Sequence, residues 1–310
     1  MRTLVTGASG FVGRALVARL AHGQRGTVRA VLHQTQPPYP AGVETVFGDV
    51  APGADWGRTL EGVDTVTHLA ARVHIMRDTT ADPLAAFRRI NVLGTLDLAR
   101  QAAASGVRRF VFLSSVKVHG ELGTFTEADA PHPQDPYAVS KLEAETGLRA
   151  LAEATGMAVV IVRPPLVYGP GVGGNFRSMM RAIASGWPLP LGAIHNRRSL
   201  VALDNLIDFI VTAAEHPAAG NDTFLVSDAH DLSTTDLIRQ LAAAMQRPAR
   251  LVAVPDGVLM TSAALIGRRS EMQRLLGSLQ VDITKARTLL HWNPPISVDE
   301  GLRRAASTRP

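Results

Sequence analysis

A glycine triplet lies directly behind a short strand-like segment at the start of the chain. Residues 2–6 predict a buried strand and residues 11–20 an amphipathic helix, with Gly7, Gly10 and Gly13 in the spacing Gly-x-x-Gly-x-x-Gly between them. Glycines there permit a tight turn and let backbone N–H groups approach a pyrophosphate, which the helix dipole also favours. The position of the triplet predicts an α/β fold that binds a dinucleotide; a glycine-rich turn without a ligand is the alternative.

Strand-like and helix-like segments alternate through the first half of the chain. Strands are predicted at residues 27–32, 44–47, 65–69, 109–113 and 158–162, and a long helix at 84–104. Such alternation predicts a parallel sheet that is covered by helices on both faces. Ligands bind these sheets beyond the carboxyl ends of the strands, where Gly7, Ala70 and Ser114 are expected to lie.

Proline and glycine become frequent at residues 164–174, where the pattern changes. Helices are predicted beyond this loop at 176–185, 205–216 and 234–245, and short strands near 224–226 and 250–254. We therefore expect a dinucleotide-binding domain over residues 1–165 and a mainly substrate-binding lobe over residues 166–310, with some segments returning to the first domain. The cleft between the two is the expected substrate site.

Tyr137 and Lys141 stand four residues apart in a chain that has three tyrosines and three lysines. Asp135 is predicted to cap their helix and Pro136 to occupy its first turn, so both side chains leave the same helix face. An ammonium beside a phenol lowers the pKa of the phenol, which gives a general acid/base that works near neutral pH. The alternative is a tyrosine packed on a lysine stem of a surface helix.

Composition excludes several other classes of protein. The 310 residues contain no cysteine, which excludes disulfides, thiolate metal sites and cysteine nucleophiles, and no metal is expected. The net charge is +5, but only 5% of residues are aromatic and no arginine-rich tract is interleaved with them, so nucleic-acid binding has little support. No signal peptide is evident, and the apolar stretch at 251–266 is too short to cross a bilayer. A soluble, cytoplasmic protein without a membrane partner is expected.

An ordered set of motifs gives the chain a family resemblance. In chain order they are Gly7/Gly10/Gly13, Gly48-Asp49, His68-Leu69-Ala70-Ala71, Asn91-Val92-x-Gly94-Thr95, Leu113-Ser114-Ser115, Tyr137-x-x-x-Lys141, Arg163-Pro164, Val167-Tyr168-Gly169-Pro170, Asn196-Arg197-Arg198 and Asp204-Asn205. With this set the chain resembles, nearly end to end, the extended short-chain dehydrogenase/reductase family in its nucleotide-sugar epimerase/dehydratase branch. The resemblance implies a Rossmann-type doubly wound sheet, NAD or NADP as cofactor, a UDP-linked sugar as substrate, and a homodimer that pairs through the helices near 84–104 and 136–155.

The resemblance also implies a role for individual residues. Ser115 would hydrogen-bond the reacting sugar oxygen, Tyr137 would move the proton, and Lys141 would hold the nicotinamide ribose and lower the pKa of Tyr137. The implied cofactor contacts are Tyr137 and Lys141, together with Gly7, Ser9, Gly10, Phe11, Val12, Gly13, His33, Asp49, Val50, Leu69, Ala70, Ala71, Ser114 and Pro164. The implied substrate contacts are Arg72, Ser115, Lys117, Asn175 and Arg197.

Three further residues are expected outside the reacting centre itself. Asn91 lies on the long helix and is expected to be structural. His119 is expected to be a solvated loop residue in preference to a substrate contact. Arg197 is expected on the diphosphate of the sugar nucleotide, with a surface ion pair as the alternative.

Departures from the family pattern narrow the reaction. Related 4,6-dehydratases place an acidic pair directly after the catalytic serine or threonine, where this chain has Val116 and Lys117, and enzymes that epimerise at C3 and C5 use a cysteine. Hydride exchange at C4 remains, as a 4-epimerase or a 4-keto-6-deoxy-sugar reductase of bacterial surface-polysaccharide synthesis. Residues 31–34 lack the acidic residue that binds the ribose of NAD, so NAD and NADP both stay open. A non-catalytic NAD(P)-sensing protein and a ketone reductase with a non-sugar substrate are the alternatives.

Overall fold

The structure, a computed structural model, describes residues 1–23, 26–33, 39–73 and 82–308. Its strands are β1 (Arg2–Thr6), β2 (Thr27–Leu32), β3 (Val43–Phe47), β4 (Thr65–His68), β5 (Arg109–Leu113), β6 (Gly123–Phe125), β7 (Ala158–Arg163), β8 (Leu166–Tyr168), β9 (Leu200–Ala202), β10 (Asp222–Leu225) and β11 (Leu279–Val281). Its helices are α1 (Phe11–His22), α2 (Gly57–Leu60), α3 (Pro83–Phe87), α4 (Thr95–Ala104), α5 (Pro136–Thr155), α6 (Gly174–Ser185), α7 (Leu203–Glu215), α8 (Thr234–Ala244), α9 (Asp256–Leu265), α10 (Arg269–Leu276), α11 (Thr284–Leu289) and α12 (Val298–Ala306).

Seven parallel strands form the central sheet in the order β3-β2-β1-β4-β5-β7-β10. The chain moves outward from β1 to β3, then returns to place β4 on the other side of β1. This reversal is the switch point at which doubly wound sheets bind ligands. The predicted fold class is confirmed.

Apolar side chains cover both faces of this sheet and fill a separate cluster in the second half of the chain. On one face the core includes Leu16 and Phe209, from α1 and α7, and on the other it includes Leu98 and Leu148, from α4 and α5. The third cluster joins α6, α8 and α12 around Phe176 and other buried residues. The burial of strands on both faces explains why β5 and β7 are nearly continuous apolar runs.

The helix that carries Tyr137 begins and ends for local reasons. The Asp135 carboxylate accepts a hydrogen bond from the backbone N–H of Ala138 at 2.7 Å, and Pro136 occupies the first helical position. Gly156 then ends α5 in the left-handed conformation, at φ 75°. Tyr137 therefore lies in the first turn, at the edge of the sheet where ligands bind.

Two short strands of the second half differ from their predictions. The strand expected near 224–226 is β10 (Asp222–Leu225), which extends the main sheet beside β7 and does not belong to the smaller lobe. The strand expected at 250–254 is reduced to one bridge between Leu189 and Leu251. At this bridge the backbone N–H of Leu189 donates to the carbonyl oxygen of Arg250 at 2.8 Å, and the carbonyl oxygen of Leu189 accepts from the N–H of Val252 at 2.9 Å.

The long helix predicted at 84–104 is present but not uniform. A π-helical segment, Arg88–Gly94, joins α3 to α4, and short 3₁₀ turns elsewhere cover Val116–Val118 and Pro217–Ala219. π-helical turns, which are wider than α-helical ones, often mark functional sites. Among the described residues, none of the helices combines the length and the apolar composition that crossing a bilayer requires.

Candidate active site

One edge of the sheet collects the predicted cofactor residues. Because all seven strands run in the same direction, the residues that follow them lie at one edge. Strand by strand, these are Gly7 and the glycine loop after β1, His33 after β2, Asp49 and Val50 after β3, Leu69, Ala70 and Ala71 after β4, Ser114 after β5, and Pro164 after β7. The sequence placed these residues far apart in the chain, and the parallel sheet brings them together.

The glycine loop has the bare backbone that a dinucleotide requires. Gly7 has φ +66°, and a Cβ there would lie 2.6 Å from the backbone nitrogen of Ala70. A Cβ on Gly13 would lie 2.1 Å from the carbonyl oxygen of Gly7. Gly10, the N-cap of α1, has no side chain to accept a bond from the first-turn N–H groups, and Ser9 beside it is half-buried. These donors fit the pyrophosphate of the implied cofactor.

The adenine end of this edge is polar and open. The Nε2 atom of His33 lies 3.9 Å from an Oδ2 atom of Asp49, and both side chains are exposed. Val50 beside Asp49 is buried. Gln34, the last residue of the segment in which an acidic residue was sought, lies outside the described residues, so the choice between NAD and NADP stays open.

The side chain of Tyr137, in the first turn of α5, is half-buried against the end of α3. The edge of its ring packs on Phe87, with ring centroids 6.1 Å apart, and the guanidinium carbon of Arg72 lies 5.5 Å from the centroid of Phe87. Burial raises the pKa of the Tyr137 phenol, and the nearby carboxylate of Asp135 raises it further. In this structure Tyr137 is therefore a protonated phenol at neutral pH.

Lys141 is buried, and its ammonium points to the end of β5. Its Nζ donates a hydrogen bond to the carbonyl oxygen of Leu113 at 2.8 Å, lies 4.4 Å from the ring centroid of Phe112 and lies 5.9 Å from that of Tyr137. Burial lowers the pKa of Lys141 to about 7, and the charge of Glu145 opposes this shift. The net pKa of Tyr137 is raised in this structure and not lowered as the sequence predicted, because burial and the Asp135 carboxylate raise it.

Ser115 is the second residue of the segment that we call the serine loop, residues 114–120. Its hydroxyl accepts a hydrogen bond from the backbone N–H of Lys117 at 3.3 Å and starts a 3₁₀ turn. The backbone N–H of Val116 donates to the carbonyl oxygen of Pro164 at 3.0 Å, which ties the loop to the end of β7. Val116 is buried, so its position offers no acid or base to a substrate.

The ammonium of Lys117, predicted to contact substrate, is bound by two carboxylates. It lies 2.6 Å from an Oδ2 atom of Asp135 and 3.6 Å from an Oε1 atom of Glu121. The side chain remains one-third exposed. A substrate contact is therefore compatible with its position, but its first partner is the residue that caps the Tyr137 helix.

A buried ionic network beneath the serine loop was not predicted. Glu145 is fully buried and accepts hydrogen bonds from the Ser114 hydroxyl at 2.5 Å and from two nitrogens of Arg163 at 3.0 and 2.5 Å. The side chain of Arg149 adds a contact at 3.1 Å. The signal was in the spacing, because residues 137, 141 and 145 form one stripe on α5.

His119 contradicts its expectation. It is buried, its ring stacks on Phe125 at 5.3 Å, and its Nε2 lies 2.7 Å from an Nη1 atom of Arg163. Burial and the charge of Arg163 lower the pKa of His119 to about 4. It is not a solvated loop histidine, because β6 folds over it and brings Phe125 against the ring.

Asn91 connects the segment after β4 to the Tyr137 helix. Its side chain accepts from the backbone N–H of Arg72 at 2.8 Å and donates to the Arg72 carbonyl oxygen and to the Ser140 hydroxyl, each at 3.0 Å. Ser140 in turn donates to the carbonyl oxygen of Tyr137. Asn91 is thus a structural residue, as expected, and it holds the backbone of the predicted substrate contact Arg72.

The remaining predicted substrate contacts lie in the second half of the chain. Asn175 is exposed at the start of α6, whose N-cap is Gly173. Arg197 is exposed too; its carbonyl oxygen accepts a hydrogen bond from Leu279 of β11, and β11 pairs with β6 next to the serine loop. No hydrogen bond or ion pair between described residues joins either side chain to Ser115, Tyr137 or Lys141, so their substrate roles stay predictions.

His68 links three motifs of the sheet edge without facing solvent. Its Nδ1 lies 2.6 Å from the Thr6 hydroxyl, its Nε2 lies 2.9 Å from the Thr95 hydroxyl, and its ring stacks on Phe112. Burial lowers the pKa of His68 from its ordinary value of 6.5 to about 3, and the charge of Lys141 adds to the shift. The histidine is therefore neutral when the protein is folded at neutral pH.

We expect His68 to make the folded protein sensitive to acid. Because its folded pKa lies below its unfolded pKa, the unfolded chain binds the extra proton between pH 6.5 and about 3, and stability is lost as the pH falls through this window. The loss approaches ~1.4 kcal/mol per pH unit. Urea unfolding at several pH values should show a shallower acid dependence in His68→Gln than in the native protein. The exposed His195→Gln is the control, and equal slopes in all three proteins would contradict the assignment.

Comparison with known proteins agrees with this geometry. Residues 3–227 match the NAD dependent epimerase/dehydratase family. The chain belongs to that family. It is 44% identical to the UDP-glucose 4-epimerase of Vibrio cholerae, over 98% of this chain and 94% of that protein, and 30% identical to the GDP-6-deoxy-D-mannose reductase of Pseudomonas aeruginosa, over 99% and 96%. The solved structure of MoeE5 in complex with UDP-glucuronic acid and NAD is 26% identical, with a TM-score of 0.80 over 99% of this chain and 98% of that chain.

Family membership confirms the resemblance, the fold class and the nicotinamide cofactor drawn from the sequence. This member of the epimerase/dehydratase family is an enzyme. The comparisons assign no residue of this chain to a role, so the catalytic, cofactor and substrate contacts rest on the geometry described above.

Proposed function

We propose that this enzyme is a 4-epimerase that exchanges hydride at C4 of a UDP-linked sugar. The observation that carries the proposal is the placement of Ser115, Tyr137 and Lys141 at the edge that holds the glycine loop, without an acid–base pair after Ser115. Val116 is buried, and the ammonium of Lys117 is held by Asp135 and Glu121, so the positions that serve elimination in 4,6-dehydratases offer neither acid nor base. The similarity to the Vibrio cholerae epimerase supports the same substrate class.

The catalytic residues divide the proton work between them. When bound, the nicotinamide cofactor supplies the hydride acceptor and donor. Tyr137 acts in its phenolate form: after the phenol has released its own proton to solvent, its oxygen takes the proton of the sugar C4 hydroxyl and returns it after the sugar has turned over. Ser115 hydrogen-bonds the same sugar oxygen and orients it. Lys141, whose pKa burial lowers to about 7, changes charge near neutral pH and stabilises the phenolate when Tyr137 is deprotonated.

A 4-keto-6-deoxy-sugar reductase is the second candidate. The described residues at the end of β2 include His33 and no carboxylate, which removes the usual contact to the ribose hydroxyls of a tightly retained NAD. An exchangeable cofactor suits a reductase, and the Pseudomonas aeruginosa relative is named as a reductase. The two candidates use the same site. An epimerase returns the hydride to the sugar and keeps its cofactor, whereas a reductase delivers the hydride and releases oxidised cofactor.

Turnover of UDP-sugars separates these candidates. We expect the purified enzyme to convert UDP-glucose into its C4 epimer without added cofactor, as followed by NMR of the sugar anomeric signals. Arg197→Ala should raise KM for the UDP-sugar about 10-fold or more, as the loss of a charged hydrogen bond predicts, with little change in cofactor Kd. Oxidation of added NADPH by a 4-keto sugar nucleotide, without epimerisation, would favour the reductase. Inactivity toward both substrate classes would contradict the proposal.

The setting of the enzyme follows from the same proposal. We place it in the cytoplasm, in bacterial surface-polysaccharide synthesis, as a homodimer that pairs through α4 and α5, next to which Leu93 is exposed. Sedimentation equilibrium tests the dimer. We also propose that residues 1–165 mainly bind the cofactor and residues 166–310 mainly bind the substrate. The two segments are not separate in topology, because β10 and α7 of the second segment complete the sheet layers of the first.

A further inference from the structure

Ser115 and Tyr137, the two residues that would share the sugar oxygen, lie on different elements. Ser115 begins a loop after β5, and Tyr137 lies in the first turn of α5. Their relative position therefore depends on what joins the loop to the helix. An ion pair connects the serine loop to the start of α5. It joins Lys117, two residues after Ser115, to Asp135, two residues before Tyr137.

Asp135 uses its two oxygens for two different elements. Its Oδ1 accepts the backbone N–H of Ala138 and caps α5, and its Oδ2 lies 2.6 Å from the ammonium of Lys117. The backbone N–H of Lys117 in turn donates to the Ser115 hydroxyl. One carboxylate thus connects the start of the Tyr137 helix to the turn that carries Ser115.

We propose that Lys117 and Asp135 are positioning residues, and that their ion pair holds the serine loop against the Tyr137 helix and limits the negative charge that the Tyr137 hydroxyl experiences. The inference rests on the proposed acid/base role of Tyr137. It goes beyond the set of Ser115, Tyr137 and Lys141, because neither Lys117 nor Asp135 needs to touch the substrate to act in this way.

The charged groups around Tyr137 make the two partners act in opposite directions. They are Asp135 and Lys141 of the Tyr137 helix, Lys117 and Glu121 on the side of the serine loop, and Arg72, which reaches Tyr137 through Phe87. The Asp135 carboxylate raises the pKa of Tyr137. Removal of that carboxylate should lower this pKa, whereas removal of the Lys117 ammonium leaves the carboxylate uncompensated and should raise it.

Three variants test this opposition. Asp135→Asn removes the charge and keeps a side chain that caps helices well, Lys117→Met removes the ammonium, and the third variant combines both. The native chain has three lysines, so Lys285→Met is a matched control: Lys285 pairs with Asp222, and its side chain is 32% exposed, against 33% for Lys117. Lys117→Arg restores the charge and should restore the native behaviour.

The readout is the ionisation of Tyr137 in the whole protein. The chain has only Tyr39, Tyr137 and Tyr168, so labelling with 3,5-difluorotyrosine gives three fluorine NMR signals, which single Tyr→Phe variants assign. Fluorination makes the phenol more acidic and brings its titration into a range where the protein stays folded. The titration of Tyr39 serves as an internal control; Tyr168 is fully buried, and burial and Asp228 raise its pKa so strongly that its signal should stay unchanged.

We expect the Tyr137 midpoint to rise by about 0.5–1 pH unit in Lys117→Met, to fall by a similar amount in Asp135→Asn, and to lie between them in the double variant. The pH profile of kcat should move in the same directions. Lys285→Met should leave both unchanged.

The outcomes separate this inference from the proposed function. A shift of the Tyr137 midpoint in the same direction in both single variants, or no shift in either, would overturn the electrostatic role of the pair. Opposite shifts in a protein that lacks C4 epimerase and reductase activity would support the pair while refuting the function. If Asp135→Asn does not fold, Asp135→Ser, which also caps a helix without charge, replaces it.

Discussion

Tyr137→Phe is expected to fold and to bind cofactor like the native enzyme while its kcat falls by at least about 100-fold, the contribution of a general acid/base. The substitution removes only the phenol oxygen, which in its phenolate form would accept the C4 proton. The ring remains half-buried and keeps its contact with Phe87. The loss should therefore appear in kcat and not in the KM for the UDP-sugar, as expected for an interaction made in the transition state.

Steady-state kinetics and cofactor titration measure these quantities. Tyr39→Phe is the control, because the Tyr39 hydroxyl donates to the backbone carbonyl of Ala8 at 2.7 Å and does not contact the catalytic residues. Its kcat should stay near that of the native enzyme. A kcat of Tyr137→Phe within tenfold of native would remove Tyr137 from proton transfer and with it the proposed mechanism.

Glu145→Ala is expected to lower the free energy of unfolding by about 3–5 kcal/mol, the cost of leaving a buried charge without its partner. Arg163 is 3% exposed, and both oxygens of Glu145 bind its guanidinium. The Ser114 hydroxyl loses its acceptor in the same variant. The variant should therefore loosen the loop that carries Ser115 as well as destabilise the fold.

Glu143→Ala is the matched control for this loss. Glu143 lies on the same helix and also binds an arginine, but its pair with Arg88 is one-third to one-half exposed. Water and salt screen such a pair, so its removal should cost less than about 1 kcal/mol. Urea unfolding at pH 7 measures both variants. Equal losses in the two would mean that the Glu145–Arg163 pair is no more important than a surface pair.

The fold was predictable from local signals that act independently of one another. The strand-like segment before Gly7, with its threonines and valine, indicates β1, the Asp135-Pro136 pair indicates the start of α5, and the alternation of strands and helices indicates a parallel sheet. Each signal depends on residues within one turn or one strand. Such signals do not say which sheet a short strand joins, and for this reason β10 was expected in the smaller lobe.

The proposed catalytic residues could be recognised because their types and spacing are rare together, whereas their electrostatic state could not be predicted. Lys141 and Tyr137 lie on one helix face as the spacing requires, yet the pKa values of both depend on burial, which no spacing reveals. Glu145 and His119 were missed for the same reason. Their partner Arg163 is distant in the chain and reaches them only when β7 lies beside β5.

By itself the sequence determined the family and the parallel sheet, and it predicted the sheet edge that binds the dinucleotide and the residues that carry the chemistry, because glycine, tyrosine and lysine at those spacings have few other uses. Only the tertiary structure decided that Lys117 pairs with Asp135 and that Glu145 binds Arg163 and Ser114. It also decided that burial, more than the neighbouring ammonium, sets the pKa of the Tyr137 phenol. The physical reason is that pairing and desolvation are properties of the space around a group, and residues from several strands and helices together define that space.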